Sequence, residues 1–455
     1  VGDPAPSRPV AGSRRALAAV LLVALVVRLA ALGLVYDTPP AGDERGYLER
    51  ASELAEGRAA DTLTKRPPGA SVWGALWIRL AGGGPVAVRI GNLVAGVAVA
   101  GLALALGRRV AGEVAGRVAG LLVALYPALV FQDVSLWSES LYGALALGGL
   151  VLAIDAVRGA GVRAAVGAGV LLGLATLTRE VGALVVVAVV LWAAGRRSSS
   201  ALRPSLILAL AAVVCVLPWS VVVSAREGSP VLVSRTGGQN LFLGNWRFDD
   251  PAREASPAAG PAKRARYERL GATQGERERE ASRLAWAAIR ERQPEWVLEK
   301  CMSEIPDLLV IEPLAASRLR ADPEAAGWEK RWAYRRPSAR PVRLALAGTT
   351  TAAWVLLGAA GLAGLVLAAG LRERPLLWLW IGAHVLPVIV AFGISRFRLP
   401  LVPVLAVAAA ALAVEPRAAW AAAGTGRRGA AALALLLFAV ILYAGRGVLE
   451  RPGFG

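Results

Sequence analysis

Long apolar runs alternate along this chain with short breaks that carry arginine. A bilayer core about 30 Å thick takes ~20 apolar residues in one helix. Runs of that kind fall at roughly 15–36, 86–106, 115–132, 138–157, 164–178, 181–195, 204–224, 343–369, 375–394, 399–414 and 429–445. They predict an all-α polytopic membrane protein with about 11 transmembrane helices. The fifth and sixth runs are short and meet at Arg179-Glu180, which reads as a tight hairpin or as one long helix. The first run is too long, and too weakly followed by a cleavage site, for a removed signal peptide. A sequence opening on Val1 reads as one whose initiator Met is not included.

Two polar stretches interrupt the pattern, at 37–85 and 225–342. They divide the chain into an N-terminal transmembrane module (1–224) whose first outer loop is 37–85, an outer segment (225–342) and C-terminal transmembrane helices (343–455). In the first loop, Tyr47, Ala51, Leu54 and Ala55 recur at helical spacing and stop at Gly57, as in a short helix lying on a membrane surface. The stretch from Val72 to Leu80, with Trp73 and Trp77, is short for a crossing and reads as interfacial or re-entrant. The outer segment reads as a small mixed domain, rich in Pro and Gly at its start and helical in composition from Tyr267 to Lys300. No solenoid-type repeat is visible.

Composition agrees. The chain is 56% hydrophobic and 18% charged, against about 25% charged in ordinary soluble proteins. That excludes a disordered chain, a disulfide scaffold and a typical cytosolic enzyme. The net charge of +18 raises the question of nucleic acid. Its arginines, however, lie between apolar runs, as the positive-inside rule requires, so no nucleic-acid partner is expected. Arg8, Arg14 and Arg15, then Arg108, Arg109 and Arg117, then Arg158 and Arg163, then Arg196, Arg197 and Arg203, then Arg372 and Arg374, then Arg417, Arg427 and Arg428 fall on one side if the N-terminus is cytoplasmic. Both long polar stretches then face outward. Cys215 sits in an apolar run, so a pair with Cys301 is not expected, and no CxxC occurs. His384, the single histidine, excludes a multi-histidine metal site and reads as a satisfied buried side chain. One Met and abundant Ala suggest a GC-rich bacterial genome, hence a bacterial inner (plasma) membrane.

This topology gathers ionisable residues at the outer face. The first loop brings Asp43, Glu44, Lys65 and Arg66; the later turns bring Asp133 and Glu139, Arg179 and Glu180, and Arg396 and Arg398. Ionisable groups at the apolar boundary are costly and are functional candidates. Two readings stand for each. Asp43 is a helix N-cap or an interfacial carboxylate that takes a proton from a hydroxyl. Lys65-Arg66, stiffened by Pro67-Pro68, snorkels to headgroups or binds a lipid phosphate. Glu139 complements a helix dipole, positions an acceptor or holds a divalent ion. Arg179, Arg396 and Arg398 anchor the interface or bind phosphate. Arg28, well inside the first run, must pair or snorkel. No Walker A, GxSxG or HExxH motif occurs, and Gly82-Gly83-Gly84 lacks the partners of a phosphate loop. Any donor substrate is therefore expected to be lipid-borne.

Several short motifs resemble membrane glycosyltransferases of the GT-C fold, in particular the family-39 protein O-mannosyltransferases and the bacterial aminoarabinose transferases that modify lipid A. They are Gly42-Asp43-Glu44 with Tyr47, Ala51, Leu54 and Gly57; Arg66-Pro67-Pro68; Val88-Arg89-Ile90-Gly91-Asn92-Leu93; Trp137-Ser138-Glu139-Ser140-Leu141; Gly173 to Arg179; Gly237-Gly238-Gln239-Asn240-Leu241 with Leu243-Gly244-Asn245; and Ser395-Arg396-Phe397-Arg398-Leu399-Pro400. Together they cover 15 to about 250 and 375 to about 412.

The resemblance implies transfer of a sugar from a polyprenyl-phosphate donor to a protein, lipid or glycan acceptor hydroxyl outside the cytoplasm. It implies a first-loop acid at Asp43 with Glu44 beside it, and a phosphate-binding cation at Arg66. By their own chemistry, Lys65, Arg66, Arg179 and either Arg396 or Arg398 would neutralise charge on the donor phosphate. Glu139 and Asn245 would position the acceptor or an ion. Where the aminoarabinose enzymes read Glu-Lys-Pro-Pro, this chain reads Lys65-Arg66-Pro67-Pro68, which keeps the phosphate-binding charge and removes the acid. No cofactor is required by this reading; Mg or Mn is left open. The competing class is a transporter or flippase of lipid-linked sugars, which calls for broken helices and midplane charges in repeated halves.

Overall fold

The computed structural model describes residues 11–40, 42–58, 64–228, 230–249, 259–309 and 340–449; Arg8 lies outside them. In chain order the helices are α1 (Ala11–Val35), α2 (Asp43–Ala55), α3 (Gly69–Ala81), α4 (Gly84–Ala111), α5 (Glu113–Leu125), α6 (Pro127–Asp133), α7 (Glu139–Asp155), α8 (Val162–Thr178), α9 (Gly182–Gly195), α10 (Ser199–Glu227), α11 (Gly237–Asn245), α12 (Ala259–Tyr267), α13 (Gln274–Glu291), α14 (Glu295–Leu309), α15 (Arg340–Leu367), α16 (Arg374–Val390), α17 (Val402–Val414), α18 (Pro416–Ala422) and α19 (Thr425–Leu449), with a 3₁₀ turn at Ser395–Leu401. No strand occurs among the described residues, so the described part of the outer segment is helical rather than mixed.

Each predicted run is occupied by helix, but the crossings differ in kind. Among the described residues, seven helices are long and apolar enough to cross a membrane, or eight counting α5 and α6, which are bent by 60° at their break. The bend follows from Pro127, whose ring and missing N–H disfavour continuation. Helices α8, α9 and α16 have 17, 14 and 17 residues. At ~1.5 Å per residue they reach only about 21–26 Å, short of a full core. Helices α8 and α9 are separate, because Arg179 is extended between them (φ −149°, ψ 129°). The chain is a multi-pass membrane protein.

The core is built largely from small residues. Ala100, Ala103, Ala119, Ala146, Ala168, Ala406 and Ala408 are fully buried in one continuous cluster with Leu150, Leu172 and Val407. A Cβ on Gly107 would lie 2.7 Å from the Cα of Gly116, so α4 and α5 meet almost backbone to backbone. Arg28 is paired, not snorkelling. Its Nε donates to Asp133 at 2.8 Å and its Nη1 to the Ala124 carbonyl at 3.0 Å, an acceptor near the α5–α6 break. Asp133 is therefore part of the core. His384 is satisfied by the Tyr142 hydroxyl and the Trp380 carbonyl, both at 2.8 Å.

Candidate active site

The first loop forms two short helices, as its periodicity requires. Gly42, at φ 54°, makes the turn into α2. Asp43 is thus the first helical residue and not the N-cap. Helix α3 exposes Val72, Leu76 and Leu80 along one ridge, as an interfacial helix should. Its start is fixed by Gly69. A Cβ there would fall 2.9 Å from the Thr178 Cα and 3.0 Å from the Leu177 carbonyl, so only glycine lets the Arg66-Pro67-Pro68 loop approach the Arg179 turn this closely.

Four separate stretches converge on Asp43. Arg66 Nη2 donates to Asp43 Oδ1 at 2.9 Å, and Arg396 Nη2 donates to Oδ2 at 2.8 Å. Arg396 Nε lies 3.5 Å from Glu139 Oε1, which pairs with Arg179 Nη1 at 2.8 Å. The result is an alternating chain, Arg66–Asp43–Arg396–Glu139–Arg179. Ser138 joins it, accepting from Arg179 at 3.1 Å and from the Tyr47 hydroxyl at 3.4 Å. Aromatic rings back the cations: Arg66 lies over Tyr47 at 5.1 Å, Arg396 over Trp137 at 4.8 Å and Arg179 over Phe397 at 5.1 Å. Glu139 is buried, whereas Asp43 and Arg66 are about a third exposed, at 31% each. The open end of the cluster is therefore at Asp43 and Arg66. Burial pushes the Asp43 carboxyl up, but the Arg396 and Arg66 guanidinium groups more than offset this and hold it at about 2.

The remaining predicted residues lie elsewhere. Glu44 is buried and accepts from the Leu136 N–H at 3.1 Å. One helical residue on from Asp43 is a ~100° turn, so adjacent acids face different surroundings. Glu44 therefore ties α2 to the loop before α7, where Asn92 also binds the Ser135 and Trp137 carbonyls at 2.7 and 3.0 Å. Lys65 is exposed and pairs with no described residue. Arg398 is buried, stacked on Trp354 at 4.4 Å with its Nη1 3.3 Å from the Leu308 carbonyl, because residues two apart in a 3₁₀ turn point about 120° from one another. Asn245 is fully buried. It donates to the Leu241 and Val390 carbonyls at 2.8 Å and accepts from Trp296 Nε1 at 2.8 Å, pinning α11 to α14 and α16. Glu180 accepts from Ser234 at 2.6 Å and faces the outer segment. Among the described residues no three of His, Cys, Asp and Glu gather as a metal ligand set.

Some contributors carried no sequence signal. Thr64, next to Lys65-Arg66, is held by Arg235 Nη2 at 2.7 Å, and Arg235 pairs with Glu227 at the end of α10. Lys300 is buried and donates to Gly244 and Ala391 carbonyls at 3.0 and 2.7 Å and to Glu304 at 2.7 Å; Glu304 in turn accepts from the Gly393 N–H at 2.5 Å, just before Arg396. Only the helical composition around them was legible.

Comparison with known proteins gives three findings. The sequence model of the dolichyl-phosphate-mannose-protein mannosyltransferase family matches residues 65–223. The archaeal oligosaccharyltransferase AglB of Archaeoglobus fulgidus, solved with an inhibitory peptide and a dolichol-phosphate, is similar over 94% of this chain and 55% of its own, at 15% identity and a TM-score of 0.52. The chain thus spans about half the length of that enzyme. ArnT of Cupriavidus metallidurans, solved with undecaprenyl phosphate, is similar over 87% of this chain and 76% of its own, at 18% identity and a TM-score of 0.41. No curated protein matches in sequence. The fold is of the GT-C type, and the family match over 65–223 agrees with the resemblance to the protein mannosyltransferases.

Proposed function

We propose that this chain is a membrane glycosyltransferase that moves a sugar from a polyprenyl-phosphate donor to an acceptor hydroxyl on the extracytoplasmic face, with inversion at the anomeric carbon. The observation that carries this reading is the single carboxylate, Asp43, held between two guanidinium groups at the open end of the cluster. The mannosyltransferase family match over 65–223 supports it, since that stretch includes Arg66, Glu139 and Arg179.

The chemistry follows from charge. A lipid phosphate is already a good leaving group and needs cations more than an acid. Arg66 and Arg396 would turn from Asp43 to the phosphate oxygens, by charge-assisted hydrogen bonds of the kind guanidinium makes well. That exchange removes the groups that hold the Asp43 carboxyl near 2 and makes it a better base. The acceptor oxygen attacks the anomeric carbon, the carbon–oxygen bond to phosphate breaks, and the acceptor proton passes to Asp43. Arg179, anchored by Glu139, would add positive charge near the leaving group. Glu139 acts in this scheme through Arg179 and Arg396.

The outward-facing site rests on the Arg-bearing loops at the other end. There Arg109 pairs with Asp155 at 2.7 Å, and Glu373 pairs with Arg158 and Arg196 at 3.0 and 2.9 Å. The test is an incubation of the purified protein in liposomes with radiolabelled polyprenyl-phosphate sugars and envelope extract. Label moved to an acceptor with inverted stereochemistry is the expected result. Label that only crosses the bilayer, or stays on the lipid, overturns the reading.

A further inference from the structure

Helix α2 carries Asp43, Tyr47 and Arg50 at i, i+4 and i+7, which places all three on one face. Arg66 and Arg50 both lie against the Tyr47 ring, at 5.1 and 5.4 Å. The two cations differ sharply in their partners. Arg66, Arg179 and Arg396 each pair with a carboxylate. Arg50 is 6% exposed, its Nε and Nη2 are sealed without a hydrogen-bond partner, and it pairs with no described carboxylate. A buried guanidinium with no anion is costly to keep. Burial and the neighbouring Arg66 both work against its charge, while Tyr47, Glu49 and Asp43 favour it. The ring contact with Tyr47 offsets only part of that cost.

We propose that Arg50 is an anion receptor specific for a phosphate monoester, and binds the second negative charge that appears on the lipid phosphate as the sugar leaves. This rests on the glycosyltransferase reading above. A sugar phosphodiester carries one negative charge. When the anomeric carbon–oxygen bond breaks, its electron pair stays on the phosphate, and the resulting monoester carries up to two. The acceptor proton goes to Asp43, so Arg50 transfers no proton and changes only in what it faces. A cation left without an acid beside the leaving group interacts more strongly with the product charge than with the donor, which is the condition for lowering a barrier.

The test uses the full chain in lipid nanodiscs, with wild type, Arg50→Gln, Arg50→Lys and Arg50→Leu. Binding of polyprenyl phosphate is measured from pH 5 to 7.5, across the second phosphate ionisation near 6. Wild type should bind at least about tenfold more tightly at pH 7.5 than at pH 5, and Arg50→Gln should lose both that gain and about tenfold in affinity. Arg50→Lys should recover much of the pH dependence, and KM for the sugar-linked donor should move by less than about threefold while kcat falls. Arg50→Leu, which replaces an unpaired buried charge, keeps the test open if the amide variant folds poorly, and should show the same loss. Inorganic phosphate is tested as a competitor. Competition that depends on Arg50 supports a headgroup site alone, and competition by the lipid form only supports a site that also needs the prenyl chain. Unchanged affinity and pH dependence in the Gln and Leu variants overturn the proposal. A wild type that transfers sugar while Arg50 is silent sinks this inference alone; a wild type that neither transfers sugar nor binds lipid phosphate sinks the function it rests on.

Discussion

Arg396 reaches across 353 residues of sequence to donate to Asp43 at 2.8 Å, and the same guanidinium sits 3.5 Å from Glu139. One side chain thus couples an acid on an interfacial helix to an acid at the start of a buried one. The free site sets three guanidinium groups against two carboxylates, and a phosphate must compete with those carboxylates for its cations.

Asp43→Asn removes the proton acceptor and keeps the shape. Transfer should fall by about 10²–10⁴, with the variant still inserted and monodisperse. A transfer assay beside size-exclusion chromatography checks this; wild-type turnover in a well-folded variant would end the assignment of Asp43.

Glu44→Gln gives the opposite result. Its carboxylate serves a backbone N–H and not the open end of the cluster. Turnover should stay within about tenfold of wild type, and Glu44→Ala should cost about 1–3 kcal/mol of stability by orphaning that donor. Thermal unfolding and initial rates separate the two adjacent acids.

Arg396→Ala should reduce turnover by about 10²–10³, the usual effect of losing one donor aimed at developing charge. Arg396→Lys should recover little, because a lysine cannot reach both Asp43 and Glu139 with a fixed fork. Rates for the two variants, at saturating donor, check this.

Stability should report the Asp43 pairing directly. Its folded carboxyl sits at about 2, below the unfolded value of about 3.9. The group therefore stabilises the fold above about pH 4, and that contribution is lost as pH falls toward 2. Between those values the unfolding temperature of wild type should drop more steeply than that of Asp43→Asn.

Gly69→Ala should cost turnover without touching any charged residue. The new methyl would meet the backbone at Leu177 and Thr178, and would push the Arg66 loop away from the Arg179 turn. A misplacement of about 1 Å costs about 10²-fold. Donor KM and kcat measured together show whether both cations lose their register.

The sequence by itself determined the apolar helices and their order, though it left the outer segment as a mixed domain. Hydrophobic runs have a length and a period, and these survive without knowledge of what packs against them; α2 ends at Ala55, two residues before the predicted stop at Gly57. It also flagged Asp43, Arg66, Arg179 and Arg396, since charge is costly at an apolar boundary wherever the chain comes from. What only the tertiary structure decided was direction. Glu44 turns inward beside Asp43, and Arg398 stacks on Trp354 two residues after Arg396. Asn245, Arg235 and Lys300 take their partners from distant elements. Neighbouring residues on a helical turn point about 100° apart or more. Which of them meets a partner depends on the crossing of helices far away in sequence, and hydropathy does not encode that crossing.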